Sequence, residues 1–381
     1  MSRPDSRVAP PLTTSQHEWL RVRTYLQEHR QELSVTAAEL YPTAIKVGGT
    51  PLLSDPSWFP ASPVPLTSVS LEWHPSHVEP AVDGTEPFAE HVRPERPDGR
   101  RYESYSAAMA ELAAPRVFQN RSTYRLVHAT LAGGQPRMAF QPGTYFDGID
   151  VGEACAHELA AVRMGLIDGT PLRDAVGNPC DPARRGTNIA ISTLTLRHDK
   201  VTGEATFPLH WRDPAKVGHA GALYTVLPVG VFQASSDLPG HLRNDFSLWR
   251  SMVREFAEEL LGEPEDHGHD RIDYDAWPFA ARMTEALSAG RIRTRVLALG
   301  VDPLTLATDL LTVVTVPADL YDDLFSRVVD TNEEGRLARS DCTQDGRWAM
   351  TDECMQQLAA RPMQAAGAAL VRLVWCGLQD R

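Results

Sequence analysis

Apolar residues recur along this chain with two periods, helical and alternating, and the places where one gives way to the other outline its elements. Ser15 and Glu18 stand at capping-box spacing, and Trp19, Val22 and Leu26 then return at helical intervals, which predicts a helix over 15–40. Prolines at 51, 56, 60, 63 and 65 make 50–68 an irregular, extended segment. Val69, Leu71 and Trp73 alternate as in a short strand, and 81–103, charged and rich in Pro and Gly, reads as a surface loop. Residues 124–131 and 137–140 flank Gly133-Gly134 as in a hairpin, and Asp150 with Glu153 predicts the start of a helix over 151–164.

The stretch 166–187, with Gly169, Pro171, Gly177, Pro179, Pro182 and Gly186, is the best candidate for a domain boundary. Beyond it, 188–197, 206–212, 223–232, 293–300 and 306–316 read as strands, and 351–360 and 362–377 as late helices. The strongest helical pattern lies between them, over 246–261. There Phe246, Trp249, Val253, Phe256 and Leu260 form one stripe, at about 100° per residue. The expected fold is α+β: a polar, Pro-rich and mobile terminus over 1–14, a mixed domain of helices and strands over 15–170, and a mixed sheet flanked by helices over 180–381.

Composition changes this picture little. The 42% hydrophobic and 23% charged residues of the 381 are ordinary for a globular protein. The net charge of −13 repels polyanions and argues against a nucleic-acid partner. Only three of the 37 basic residues are lysine, and the arginines are scattered rather than gathered into a phosphate-reading patch. Five cysteines without a C-x-x-C suggest neither a disulfide framework nor a zinc knuckle. With no leader-like or membrane-spanning apolar run, the expectation is a cytoplasmic protein that does not meet a membrane.

The chemistry gathers on the helix over 246–261. Opposite its apolar stripe, Arg254, Glu255, Glu258 and Glu259 fall within roughly 140° of arc. Carboxylates so close repel unless a cation sits among them, and Mg²⁺ or Mn²⁺ suits an all-oxygen site. Glu-rich faces are also common on solvated amphipathic helices, so composition alone does not decide. The order of residues adds information. Arg254-Glu255-Phe256-Ala257-Glu258-Glu259 resembles the core of the Nudix box, which binds divalent metal in hydrolases of diphosphate-linked substrates.

The resemblance covers about 188–380. It implies metal ligation by Glu258 and Glu259, a role for Glu255 as ligand or general base, and an orienting role for Arg254. The family's glycine at the strand-to-loop turn corresponds best to Gly230, which makes 234–243 an insertion; Gly240 has the ungapped spacing but lies outside any strand. Phe246 stands where a glutamate is expected, and Gly262 falls one place late, as a helix cap. An acidic loop near the metals is expected at Glu333 and Glu334, either of which could take the proton. On strands before the helix, Trp211, Arg212 and Tyr224 are candidates for stacking and phosphate contact, or else core residues.

Other constellations carry less. His157-Glu158 begins like a zinc-protease motif, but residue 161 is alanine. Asp266-His267-Gly268-His269-Asp270 reads first as a solvated loop and second as a transition-metal site. Gly48-Gly49 and Gly133-Gly134 are turn residues without a phosphate-loop pattern, and no G-x-S-x-G elbow occurs. The expectation is therefore a metal-dependent hydrolase acting on a small diphosphate or nucleotide. Two alternatives stand beside it: a non-catalytic module sensing such a ligand, and a plain scaffold helix.

Overall fold

The computed structural model describes residues 11–212, 223–264, 270–326, 331, 335–340 and 342–379. Most of the terminus expected to be mobile therefore lies outside the described residues.

Two helices come first, α1 (Thr14–Glu28) and α2 (Arg30–Glu39). The capping box sits two residues earlier than expected. Gln16 N donates to Thr13 Oγ1 (3.1 Å) and Thr13 N to Gln16 Oε1 (2.8 Å), while the Ser15 hydroxyl accepts from Glu95 N. The single predicted helix breaks at His29, whose φ of −114° ends one helix and begins the next.

A two-residue strand, β1 (Ile45–Lys46), precedes the proline-rich segment, which itself yields only the two-residue strands β2 (Leu53–Ser54) and β3 (Val64–Pro65), as befits a stretch whose prolines lack a ladder donor. Then come β4 (Ser70–Trp73), α3 (Tyr105–Leu112), the hairpin β5 (Ser122–Thr130) and β6 (Arg137–Thr144), α4 (Tyr145–Arg163) and α5 (Pro171–Val176). Helix α4 starts six residues before its predicted beginning, because Thr144 and Asp147 form its capping box. Asp150 instead accepts from Ser106 N (2.6 Å) and ties α3 to α4.

The rest of the chain supplies β7 (Ile189–His198), β8 (Ala205–Arg212), β9 (Tyr224–Val226), β10 (Val229–Val231), α6 (Pro239–Asn244), α7 (Leu248–Leu261), α8 (Pro278–Ser288), β11 (Arg293–Val301), β12 (Thr308–Pro317), α9 (Ala318–Leu324), β13 (Gly335–Leu337), β14 (Thr343–Gln344), β15 (Arg347–Ala349), α10 (Asp352–Ala359) and α11 (Ala365–Gln379). The fold is α+β. Its large mixed sheet runs β1-β2-β11-β12-β7-β8-β15-β14, with β12 and β7 parallel. A second sheet, β4-β6-β5, stands apart.

The strands β2 and β3 pair with β11, so the N-terminal half lends an edge to the C-terminal sheet. Bridges Thr123–Gln233 and Arg125–Asn188 also cross the stretch read as a boundary, and Val82–Arg185 ends inside it. That stretch divides the sequence, but not the sheet or the buried apolar cluster, which runs from Trp19 to Phe325.

Side chains alternate across the large sheet. Along β12, Leu310, Val314 and Val316 join the cluster that holds α7, whereas Leu311 and Val313 join a second one under α10 and α11. The predicted strand over 223–232 is two strands, parted at Leu227-Pro228. Strands β7 and β8 pair only at Arg197–Thr206 and His198–Ala205 and then splay. In the gap β9 follows β8 and β10 follows β7. The result is a V-shaped opening in the sheet, with α7 against the β10 arm.

Candidate functional site

Helix α7 forms where the period predicts it. Ser247 Oγ accepts from Arg250 N (3.3 Å) at the start, and Gly262, at φ 69°, ends it in the left-handed region as the late glycine implied. Val253, Phe256 and Leu260 are buried, and Trp249 reaches across to α8 through a bond from Nε1 to Thr284 Oγ1 (3.0 Å). Glu255, Glu258 and Glu259 are half-buried. Two of them meet β10 directly. Val229 N donates to Glu259 Oε1 (3.0 Å), and the Glu255 carboxylate occupies the space over Gly230 that any Cβ would fill. A Cβ at Gly240 would meet open space. Gly230 is thus the glycine that makes room for the acidic face.

Arg254 is buried, and its Nη2 donates to the Gln233 carbonyl (2.6 Å). Burial works against its charge, yet Tyr274, Glu255, Asp245 and Glu258 together hold its pKa above the ordinary arginine value. It therefore anchors the helix to the β10 strand's continuation while lending positive potential to the carboxylates.

The missing glutamate at Phe246 has a packing reason. The Phe246 ring meets Trp73, Tyr124, Phe140 and Phe232 at centroid distances of 5.0–5.8 Å, in a cluster joining α7 to the small sheet. The neighbouring Asp245 supplies a carboxylate that the sequence reading missed. It is fully buried and accepts from Ser235 N, Ser235 Oγ, Asn244 Nδ2 and Tyr274 OH. Burial opposes its charge, but the Ser235 bonds and Arg254 hold its pKa below the usual carboxylate range. Its position, one residue from where an acid was expected, was the available signal.

Along β8 the candidates separate. Trp211 and Tyr224 are direct cross-strand partners and pack on the α11 side with the second cluster, away from α7. Arg336 lies over the Trp211 ring at 5.0 Å and Arg361 over Tyr224 at 5.9 Å. Alternation turns Arg212 to the other face, with His210. Glu333 and Glu334 lie outside the described residues, as do all members of the His/Asp cluster except Asp270. Among the described residues no three His, Cys, Asp or Glu side chains converge on a point that could hold a metal ion.

His157 and Glu158 are accounted for by packing. The His157 ring stacks on Trp19, its Nδ1 lies 3.1 Å from Tyr105 OH, and burial holds its pKa well below the ordinary value. Glu158 accepts from Leu172 N and Arg173 N at the start of α5. Among the described residues no helix is long and apolar enough to cross a membrane. No protein-family model matches the chain, and no curated protein does either.

Proposed function

We propose that this protein is a Nudix-type hydrolase that cleaves a diphosphate bond, in a nucleotide or another small diphosphate, with the help of Mg²⁺ or Mn²⁺. The observation that carries the reading is the seating of the α7 glutamates on β10: three carboxylates on one arc, with Glu255 over the bare Cα of Gly230 and Glu259 held by Val229 N. A side chain at 230 would have to displace the Glu255 carboxylate from this seat.

Glu255, Glu258 and Glu259 fit a hard cation by their oxygen donors. Among the described residues no three such groups converge as a metal site, so the metal rests on the order of residues over 254–259 and not on the geometry. Such an ion would supply charge neutralisation at phosphate oxygens and a water of lowered pKa. Glu255, fixed over Gly230, would accept the water's proton. Arg254 would act as a positioning residue, its Nη2 tied to Gln233 O and its charge beside Glu255 and Glu258. Arg212, on the α7 side of β8, would face the phosphates across the opening between β8 and β10. A small-molecule substrate and a cytoplasmic setting without membrane or nucleic-acid partner complete the reading, the net charge of −13 disfavouring polyanions.

A second reading, a module that binds such a ligand without cleaving it, is favoured by the apolar Phe246 and by the open arrangement of the carboxylates. The deciding experiment measures phosphate or nucleoside monophosphate release across a panel of diphosphates, with and without Mg²⁺ or Mn²⁺, for the native protein, Glu258→Gln and Gly230→Ala. Metal-dependent release, lost in Glu258→Gln and much reduced in Gly230→Ala, is the expected result. Silence with a ligand-dependent rise in melting temperature would select the second reading. Silence with no such rise would leave α7 as scaffold and sink both.

A further inference from the structure

We propose that the cavity between α9, β8 and the turn before β15 binds a small oxyanion carried on an apolar body. The cavity is about 200 Å³ and is walled by Pro208, Phe325 and Leu337, with Tyr321, Arg347 and the exposed Ser326 as polar groups and Asp345 at the rim. The site stands apart from the reading of the α7 glutamates, although it shares a wall with that helix: Phe325 meets Phe256 at 5.5 Å.

Tyr321 and Arg347 both have bonding capacity left over. Tyr321 is 2% exposed, yet among the described residues its hydroxyl has no hydrogen-bond partner. Burial pushes its pKa up to about 12, so the group remains a neutral donor at ordinary pH. The Arg347 guanidinium lies over the Tyr321 ring, 5.7 Å from the centroid. Among the described residues its Nε is buried without a partner, and Nη2 reaches only Asp345, at 3.4 Å. The Asp345 side chain is 76% exposed, so this long pair is weak and readily exchanged for a better acceptor.

The guanidinium is also held in place. Asp345 and Gly346 both have positive φ (49° and 77°), forming the tight turn that a two-residue hairpin requires, and Arg347 then pairs with Pro208 across the ladder. A planar fork of donors and a hydroxyl donor, set among aromatic and aliphatic walls, match a carboxylate or phosphate oxygen pair followed by an apolar group. The cavity is too small for a polymer or a whole dinucleotide.

The test is calorimetric titration of the full chain with benzoate, phenyl phosphate, inorganic phosphate and, as the neutral counterpart, benzyl alcohol. Saturable binding of benzoate or phenyl phosphate is expected, with benzyl alcohol and inorganic phosphate each weaker by about tenfold or more. Preference between the two aromatic anions identifies carboxylate or phosphate as the head group. Arg347→Met should weaken binding about tenfold or more. Tyr321→Phe keeps the ring under Arg347, removes only the hydroxyl, and should weaken binding by roughly three- to tenfold. Melting curves show that each variant folds, and should Arg347→Met fail to fold, Tyr321→Phe decides. The proposal is overturned if no anion gives saturable heat, or if a folded Tyr321→Phe binds as tightly as the native protein.

Discussion

Helices α4 and α7 both carry glutamates beside arginines, and they use them in opposite ways. On α4, Glu153 is almost fully buried and takes two cations, Arg23 Nη1 at 2.6 Å and Arg30 Nη2 at 3.4 Å. Glu158 on the same helix caps α5 and meets His91 Nε2 at 2.9 Å. On α7 the buried Arg254 donates to a backbone carbonyl, and three carboxylates share one arc, half-open to solvent beside a glycine. In the first region the fold buries and consumes its carboxylates, whereas in the second they stay half-open to solvent. Charge content alone does not separate the two, but burial does.

The comparison breaks most directly at Glu153. Glu153→Gln would leave the Arg23 and Arg30 charges buried with no counter-charge at that point. Stability should fall by about 3 kcal/mol or more, as for one partner removed from a buried pair. Urea unfolding followed by circular dichroism measures it. A loss below about 1 kcal/mol, the worth of an exposed pair, would mean that this cluster is solvated and that the contrast with α7 is not one of burial.

A second buried acid sharpens the contrast through pH. Asp309 on β12 is 2% exposed and accepts from Ser192 Oγ at 2.7 Å, on the face that packs under α11. Burial pushes its pKa up to about 7, from an ordinary 3.8, against the effect of the Ser192 bond. Between these values the unfolded chain releases the proton while the folded protein keeps it, so stability falls as pH rises, and it levels off above pH 7. The full span is on the order of 4 kcal/mol. Asp245 has the opposite sign: its lowered pKa contributes stability that is lost as pH falls through the folded value. Asp309→Asn should abolish the decline between pH 4 and 7 and leave the acid limb intact. An unchanged pH profile in Asp309→Asn would assign the decline to another group.

Most elements were legible in the sequence because their periods are clean: the stripe of α7, the alternation of β5 and β8, and the Gly262 cap are all read from neighbours a few residues away. What was not legible depends on partners far off in the chain. The strand predicted over 223–232 splits because β7 and β8 splay, which no local pattern records. The caps of α1 and α4 moved because Ser15 and Asp150 are taken by Glu95 N and Ser106 N, 80 and 44 residues away. At the site, Gly230 was preferred over Gly240 from its place at a strand end, and the geometry gives the physical reason in the Glu255 carboxylate above it. Asp245 and the aromatic cage of Phe246 were missed, since a one-residue shift between acid and ring makes sense only when both the core and Arg254 are in view. Trp211 and Tyr224, candidates by type, turned to the other face because strand alternation obeys the second core.

The smallest expected effect is also the most discriminating. Glu258 lies three residues after Glu255 on the same half-exposed arc, close enough to Arg254 to help hold that guanidinium charged. Removing it in Glu258→Gln, without divalent ions, should lower stability by no more than about 1 kcal/mol, as for a half-exposed pair. With Mg²⁺ added, the native protein should gain melting temperature and the variant should not, because only the native carboxylate can take part in ligation. The gap between the two proteins thus widens when Mg²⁺ is added. A buried structural acid behaves otherwise: Glu153→Gln loses the same amount with or without Mg²⁺. Should Glu258→Gln lose more than about 1 kcal/mol in the absence of ions, its carboxylate would be one that the fold consumes, and α7 would belong with α4.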